Sequence, residues 1–178
     1  MSAKKFSLLL LDANVVIRLF ELGIWDRILD ACDVHLTRIV AEKEADFFVD
    51  GSEVRRPIDL GPSEQDGRIT VHEIPASKVA EFRSRFTDPI LDRLDDGETE
   101  SLALLVESDK RFLICSSDAI VFRVLGALCI GEQGLSLEEI LQRIGLNRKL
   151  KWQFSKAFRL RFTNQGFDEG IRGFGVRQ

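Results

Sequence analysis

Apolar and polar positions alternate along this chain between short continuous runs and amphipathic stretches. Phe6–Leu11 is apolar almost throughout, which predicts a strand in the middle of a sheet, because a solvent-facing strand would alternate. Asn14 can cap a helix running to about Leu22, with Val16, Ile17 and Phe20 turned inward. Trp25, Ile28 and Leu29 carry a second helical stripe, and Val34–Thr37 is a short strand. Residues 39–48 are expected to be helical, with Val40, Ala41, Phe47 and Phe48 available for packing. The pattern fails between Asp50 and Gly67, where Gly51, Pro57, Gly61, Pro62 and Gly67 predict a long exposed loop.

Beyond that loop the alternation resumes. A strand is expected over Ile69–Ile74 and a helix over Ser77–Phe86, beginning after Pro75. Glu98–Ser108 has a helical stripe of Leu102, Leu105 and Val106, followed by a buried strand at Phe112–Cys115 and a helix over Ala119–Ala127. Leu128–Ile130 reads as a last short strand, and Ser136 caps a helix over Leu137–Ile144. Leu150–Phe162 adds another helix, and the glycine-rich end from Gly166 is expected to be loose. Strand–helix alternation of this kind predicts an α/β fold with a mainly parallel sheet and helices on both faces. The expected organisation is one domain over residues 1–146 and a basic C-terminal extension over 147–178.

Within that framework four acidic positions stand where a strand or loop gives way to a helix: Asp12, Glu42, Glu98 and Asp118. In parallel sheets, ligands bind outside the carboxyl ends of the strands. Four carboxylates on one such edge make an oxygen-rich pocket for hard divalent cations, the chemistry of metal-assisted phosphodiester hydrolysis. Each has a plainer reading as a helix cap. Asn14 competes with Asp12 for that duty, and Ser116 and Ser117 compete with Asp118. Glu44 is an alternative to Glu42, and Asp95, Asp96 and Glu100 are alternatives to Glu98.

Composition narrows the class. With 178 residues, 44% hydrophobic and 30% charged, the chain can build a core without staples, and no apolar run suggests a membrane span or a leader. Cys32, Cys115 and Cys129 share no CxxC spacing, so they are expected to be small core residues in a reducing compartment, with the cytoplasm as default location. Of the net charge of −4, the segment from Asn147 carries +6 and the preceding body −10. An acidic body with a basic tail suits a metal-dependent enzyme that also holds a polyanion. His35 and His72 have no Cys or His at metal-ligand spacing, so a structural or surface role is expected for each.

Trp152, Phe154, Phe158 and Phe162 interleave with Lys151, Lys156, Arg159 and Arg161. The four-residue spacing of the phenylalanines predicts a packed helix face. The intervening cations are candidate RNA-phosphate contacts.

Leu-Leu-Asp-Ala-Asn-Val-Val-Ile (10–17), Ile-Val-Ala-Glu (39–42), Asp-Gly-Glu-Thr-Glu-Ser-Leu-Ala (96–103) and Ser-Ser-Asp-Ala-Ile-Val-Phe-Arg-Val-Leu (116–125) together resemble the PIN domain, a family of metal-dependent nucleases that includes VapC-type toxins. The resemblance covers roughly residues 6–145 and leaves the basic extension outside it. It implies a three-layer α/β/α sandwich, Mg²⁺ or Mn²⁺ in an acidic pocket, and endonucleolytic cleavage of RNA. Asp12, Glu98 and Asp118 would then be metal ligands, Glu42 a ligand or the residue positioning the attacking water, and Asn14 and Ser117 hydrogen-bonding supports. It also implies a toxin–antitoxin role with a small antitoxin partner, and a homodimer. A catalytically inactive PIN-like binding module and a structure-selective DNA nuclease are the competing readings.

Overall fold

The structure is a computed structural model that describes residues 6–177. In chain order its elements are β1 (Phe6–Leu11), α1 (Ala13–Glu21), α2 (Trp25–Ala31), β2 (Cys32–Thr37), a π-helical turn (Val40–Glu44), β3 (Phe47–Val49), β4 (Arg55–Pro57), α3 (Gly61–Gln65) and β5 (Ile69–His72). There follow α4 (Ala76–Arg83), α5 (Asp88–Leu91), α6 (Asp96–Glu107), β6 (Leu113–Cys115), α7 (Ala119–Ala127), a 3₁₀ turn (Gly131–Gln133), β7 (Gly134–Leu135), α8 (Leu137–Arg143), a second 3₁₀ turn (Trp152–Phe154) and α9 (Lys156–Ile171).

The central sheet has five strands in the order β5-β2-β1-β6-β7, all paired in parallel. The period-two geometry of β1 divides its leucines between two cores. Leu9 and Leu11 join Val16, Leu19, Ile28, Leu36 and Ile140 on one face. Leu10 joins Phe82, Phe86, Leu102, Phe122 and Phe158 on the other. Helices therefore cover both faces, as a continuously apolar central strand requires, and the chain is an α/β protein with a parallel central sheet. Among the described residues no helix is long and apolar enough to cross a membrane.

Several expectations are corrected. The 39–48 helix is only the π-helical turn, and Phe47 and Phe48 lie instead in β3, which pairs with β4 in an antiparallel hairpin. The supposed 50–67 loop thus contains β4 and α3. Asp50 organises the hairpin turn by accepting from Ser52 N and Val54 N and pairing with Arg56 Nε at 2.8 Å. Leu128–Ile130 is a turn with Cys129 in the left-handed region (φ 58°), and the outer strand is Gly134–Leu135. Cys32 and Cys115 are buried but Cys129 is exposed, so only two of the three cysteines are core residues.

The C-terminal segment is also more ordered than expected. Ser155 caps α9, which continues through Gly166 to Ile171. A Cβ at Gly166 would collide with the Arg123 backbone of α7, and one at Gly126 with the Thr163 backbone of α9. These glycines let the two helix backbones approach closely. Arg123 then reaches across to Glu169 in a bidentate pair at 2.9–3.0 Å. After α9 the chain returns to the body, with Arg177 N donating to Arg85 O and Thr87 N to Gly175 O. Within this segment Phe154 packs in the first core and Phe158 in the second.

Candidate active site at the carboxyl edge of the sheet

Chain order reverses across the β1/β6 pair: β2 and β5 extend the sheet on one side of β1, β6 and β7 on the other. Such a switch point opens a crevice at the carboxyl ends of the strands. Asp12 follows β1 there and its backbone N–H donates to Cys115 O, 3.1 Å away on β6. Its carboxylate is only 4% exposed and accepts from the buried Ser116 hydroxyl at 2.9 Å. The Ser116 oxygen in turn accepts from the Asp118 backbone N–H at 2.9 Å. Although Asp12 holds the N-cap position of α1, its side chain makes no capping bond, and Asn14 lies inside the helix rather than capping it.

Glu98 arrives from the first turn of α6. It forms a capping box with Asp95: Glu98 N donates to Asp95 Oδ1 at 2.7 Å, and Asp95 N donates to Glu98 Oε2 at 3.1 Å. Only 4% of Glu98 is exposed. Asp118 is half-buried and caps α7 by accepting from Ile120 N at 2.9 Å. The π-helical turn decides between the two glutamates there. Glu42 points outward and pairs with Arg38 at 3.0 Å, whereas Glu44 turns inward and accepts from Gly97 N at 3.0 Å. The expected position of Glu42 in the site is thus taken by Glu44, because the helical turn puts residues two apart on different sides. Gly97 makes this possible, since a Cβ would collide with the Glu44 carboxylate.

The electrostatics follow from burial and crowding. Burial pushes the Asp12 carboxyl up to about 7 against the opposing Ser116 hydrogen bond, and Asp95 and Glu44 add like charge. Burial, then Asp95, Asp118 and Asp12, push Glu98 up to about 9. Glu44 is raised by burial and by Asp95. Asp95 was legible only as an understudy of Glu98. Ser116 was legible only as a hydrogen-bonding residue beside Asp118, because its link to Asp12 spans 104 residues.

The donor set suits a hard cation, being all oxygen, and Glu44 Oε2 is buried without a hydrogen-bond partner among the described residues. Asp12, Glu44, Glu98 and Asp118 are the residues that would have to hold such an ion. In their present rotamers no three Asp, Glu, His or Cys side chains among the described residues form a ready metal cluster. Glu44, Glu98 and Asp118 each accept from a backbone N–H.

Beside the acids lies an open cleft of about 480 Å³. Asn14, Arg18, Ser117, Asp118, Lys151 and Gln153 are among its lining residues. Of the other basic candidates, Arg159 is committed to a pair with Glu139 at 2.7 and 2.8 Å, Lys156 is exposed near Glu138, and Arg161 lies 5.7 Å from the Trp152 ring centre. Phe154 and Phe158 are buried, so the phenylalanine repeat is a packing face as expected. His35 and His72 stack away from the acids, with Nδ1 of His35 2.8 Å from Nε2 of His72 and Phe112 edge-on to both rings. Compared with protein-family models, with curated proteins and with solved structures, the chain shows no match.

Proposed function

We propose that this protein is a Mg²⁺- or Mn²⁺-dependent nuclease of PIN-like architecture, acting on RNA phosphodiester bonds at the Asp12, Glu44, Glu98 and Asp118 cluster. The observation that carries this reading is the pair of buried carboxyls, Asp12 and Glu98, each 4% exposed, held among further acids at the sheet's switch point. Carboxylates crowded out of water cost stability unless a cation or a proton offsets them. A divalent ion bound there supplies Lewis acidity toward a phosphoryl oxygen and an acidified water.

The chain's own groups do the positioning. Ser116 orients Asp12 and, through its oxygen, the backbone at Asp118. Gly97 N–H holds one Glu44 oxygen and leaves the other without a partner. Asp118 belongs both to the acidic cluster, through its charge on Glu98, and to the open cleft. A phosphate in that cleft would therefore lie beside the carboxylates. The toxin role, with an antitoxin partner and a homodimer, rests on the motif resemblance alone. Preference for RNA over DNA rests there too.

A metal-free binding module is the second reading, favoured by the capping bonds that already engage Glu98 and Asp118. Thermal melting of EDTA-stripped protein with added Mn²⁺ separates the two. The nuclease reading expects a saturable rise in Tm that Asp12→Asn abolishes, followed by Mn²⁺-dependent cutting of labelled RNA. Absence of both a Tm shift and cleavage at millimolar Mn²⁺ overturns it in favour of the binding module. Cutting confined to DNA would reassign the substrate.

A further inference from the structure

The basic extension contributes to the cleft a segment that the four-acid motif does not include. Leu150–Phe154 is anchored from beneath: Phe154 is buried in the first core, and Phe158 and Phe162 pack against Trp152 with ring centres 4.8 and 6.2 Å away. The Ser155 hydroxyl fixes the backbone by donating to Trp152 O at 2.7 Å. On this rigid base, Lys151 and Gln153 face the cleft beside Ser117 and Asp118. Arg18, the other cation of the cleft, is neutralised by Glu21 at 2.8 Å. Lys151 is exposed and has no ion-pair partner among the described residues. Trp152, between Lys151 and Gln153 in the chain but outside the cleft lining, sits against Phe158 at the cleft's edge and leaves 52% of its surface exposed, with the Arg161 guanidinium 5.7 Å from its ring centre.

An exposed tryptophan wedged between other aromatics, flanked by an unpaired lysine and a cleft of nucleotide size, has the parts of a single-strand binding platform. The surrounding body carries −10, so a polyanion can approach the acids only where cations offset that charge. We propose that Lys151 and Trp152 hold a single-stranded nucleic acid across the edge of this cleft, Lys151 on a phosphate inside it and Trp152 stacked on a neighbouring base just outside it. The platform rests on the nuclease reading only for its purpose, delivery of a strand to Asp118; binding itself needs no metal.

The test uses the full chain in EDTA, with Trp25→Phe leaving Trp152 as the single emitter of the two tryptophans. Twelve-residue oligouridine and oligothymidine are titrated while Trp152 emission and anisotropy of the labelled strand are followed. Saturable quenching is expected. Lys151→Ala should weaken binding about tenfold and lower the salt slope by about one. Trp152→Ala should weaken it by a similar factor. Trp152→Phe, which preserves the packing on Phe158, should recover most of that loss. Equal binding of both strands supports recognition through phosphate and base faces, and tighter binding of RNA supports an added 2′-hydroxyl contact. Failure of both strands to bind, binding without quenching, or unchanged affinity in Lys151→Ala and Trp152→Ala would each overturn the proposal. Loss of the Mn²⁺ response with oligonucleotide binding intact removes the nuclease reading alone. Mn²⁺-dependent cutting with unaffected Lys151 and Trp152 variants removes the platform alone.

Discussion

Ser116 Oγ stands 2.9 Å from Asp12 Oδ2, joining the end of β6 to the end of β1 beneath the acidic cluster. The same oxygen accepts from the Asp118 backbone, so one buried hydroxyl sets the relative position of two acids. Removing it leaves both partners without that bond in a site closed to water. Ser116→Ala is expected to lower stability by about 1–3 kcal/mol and to raise the Asp12 carboxyl further, because the bond it loses favours the ionised form. Urea unfolding and carboxyl-carbon NMR titration would measure the two effects.

The raised acids also fix the sign of the pH dependence. Asp12 titrates near 7 and Glu98 near 9 in the folded chain, above the ordinary 3.8 and 4.5. Between those limits the folded state binds more protons than the unfolded one, so stability falls as pH rises. For metal-free protein the Asp12 contribution is expected to decline from about pH 4 to 7 and the Glu98 contribution from about pH 4.5 to 9. Asp12→Asn should flatten the first window and stabilise the protein at pH 8 by on the order of 2–4 kcal/mol. Melting across pH 5–9 reads this directly, and a profile rising toward pH 8 in wild type would contradict it.

Gly97 separates site geometry from fold stability. A Cβ there meets only the carboxylate end of Glu44, a flexible group able to swing away. Gly97→Ala is therefore expected to cost little stability, since alanine is the better helix former by about 1 kcal/mol. It should displace Glu44 and weaken the Mn²⁺-induced Tm shift. An unaltered shift would take Glu44 out of the site.

The α7–α9 contact behaves differently. At Gly166 a Cβ meets backbone that has nowhere to move. Gly166→Ala should destabilise the whole protein in one transition, by about 2 kcal/mol or more, through forced separation of the helices. Glu169→Ala, which strands the largely buried Arg123, should cost roughly 3 kcal/mol. Independent melting of the 147–177 segment in either variant would show that it is not part of the common core.

Much of the acidic edge was legible because its cues are local. Four consecutive leucines, Leu8–Leu11, followed by Asp12 read as an inner strand delivering a carboxylate to the sheet's rim. Ser136 followed by Glu139 specifies a capping box that the structure contains in full. The Glu98 segment carries the same kind of signal, with Asp95 three residues ahead. These features depend on bonds within a few residues, so adjacent side chains determine them whatever the tertiary fold.

What the sequence by itself determined was the alternation of the main strands and helices, the parallel α/β class, and the placement of Asp12, Glu98 and Asp118 at element boundaries. Periodicity and capping chemistry encode these through short-range sterics and hydrogen bonds. Only the tertiary structure decided that Glu44 rather than Glu42 faces the acids, because the π-helical turn is set against Gly97, whose N–H holds the Glu44 carboxylate. It likewise decided that Phe47 and Phe48 pair with β4 instead of continuing a helix, and that the glycines of α9 seat it on α7. Ser116 meets Asp12 across 104 residues for the same reason. Such contacts exist only once the parallel sheet has brought distant strand ends side by side, and no local pattern of residues records which neighbours that closure supplies.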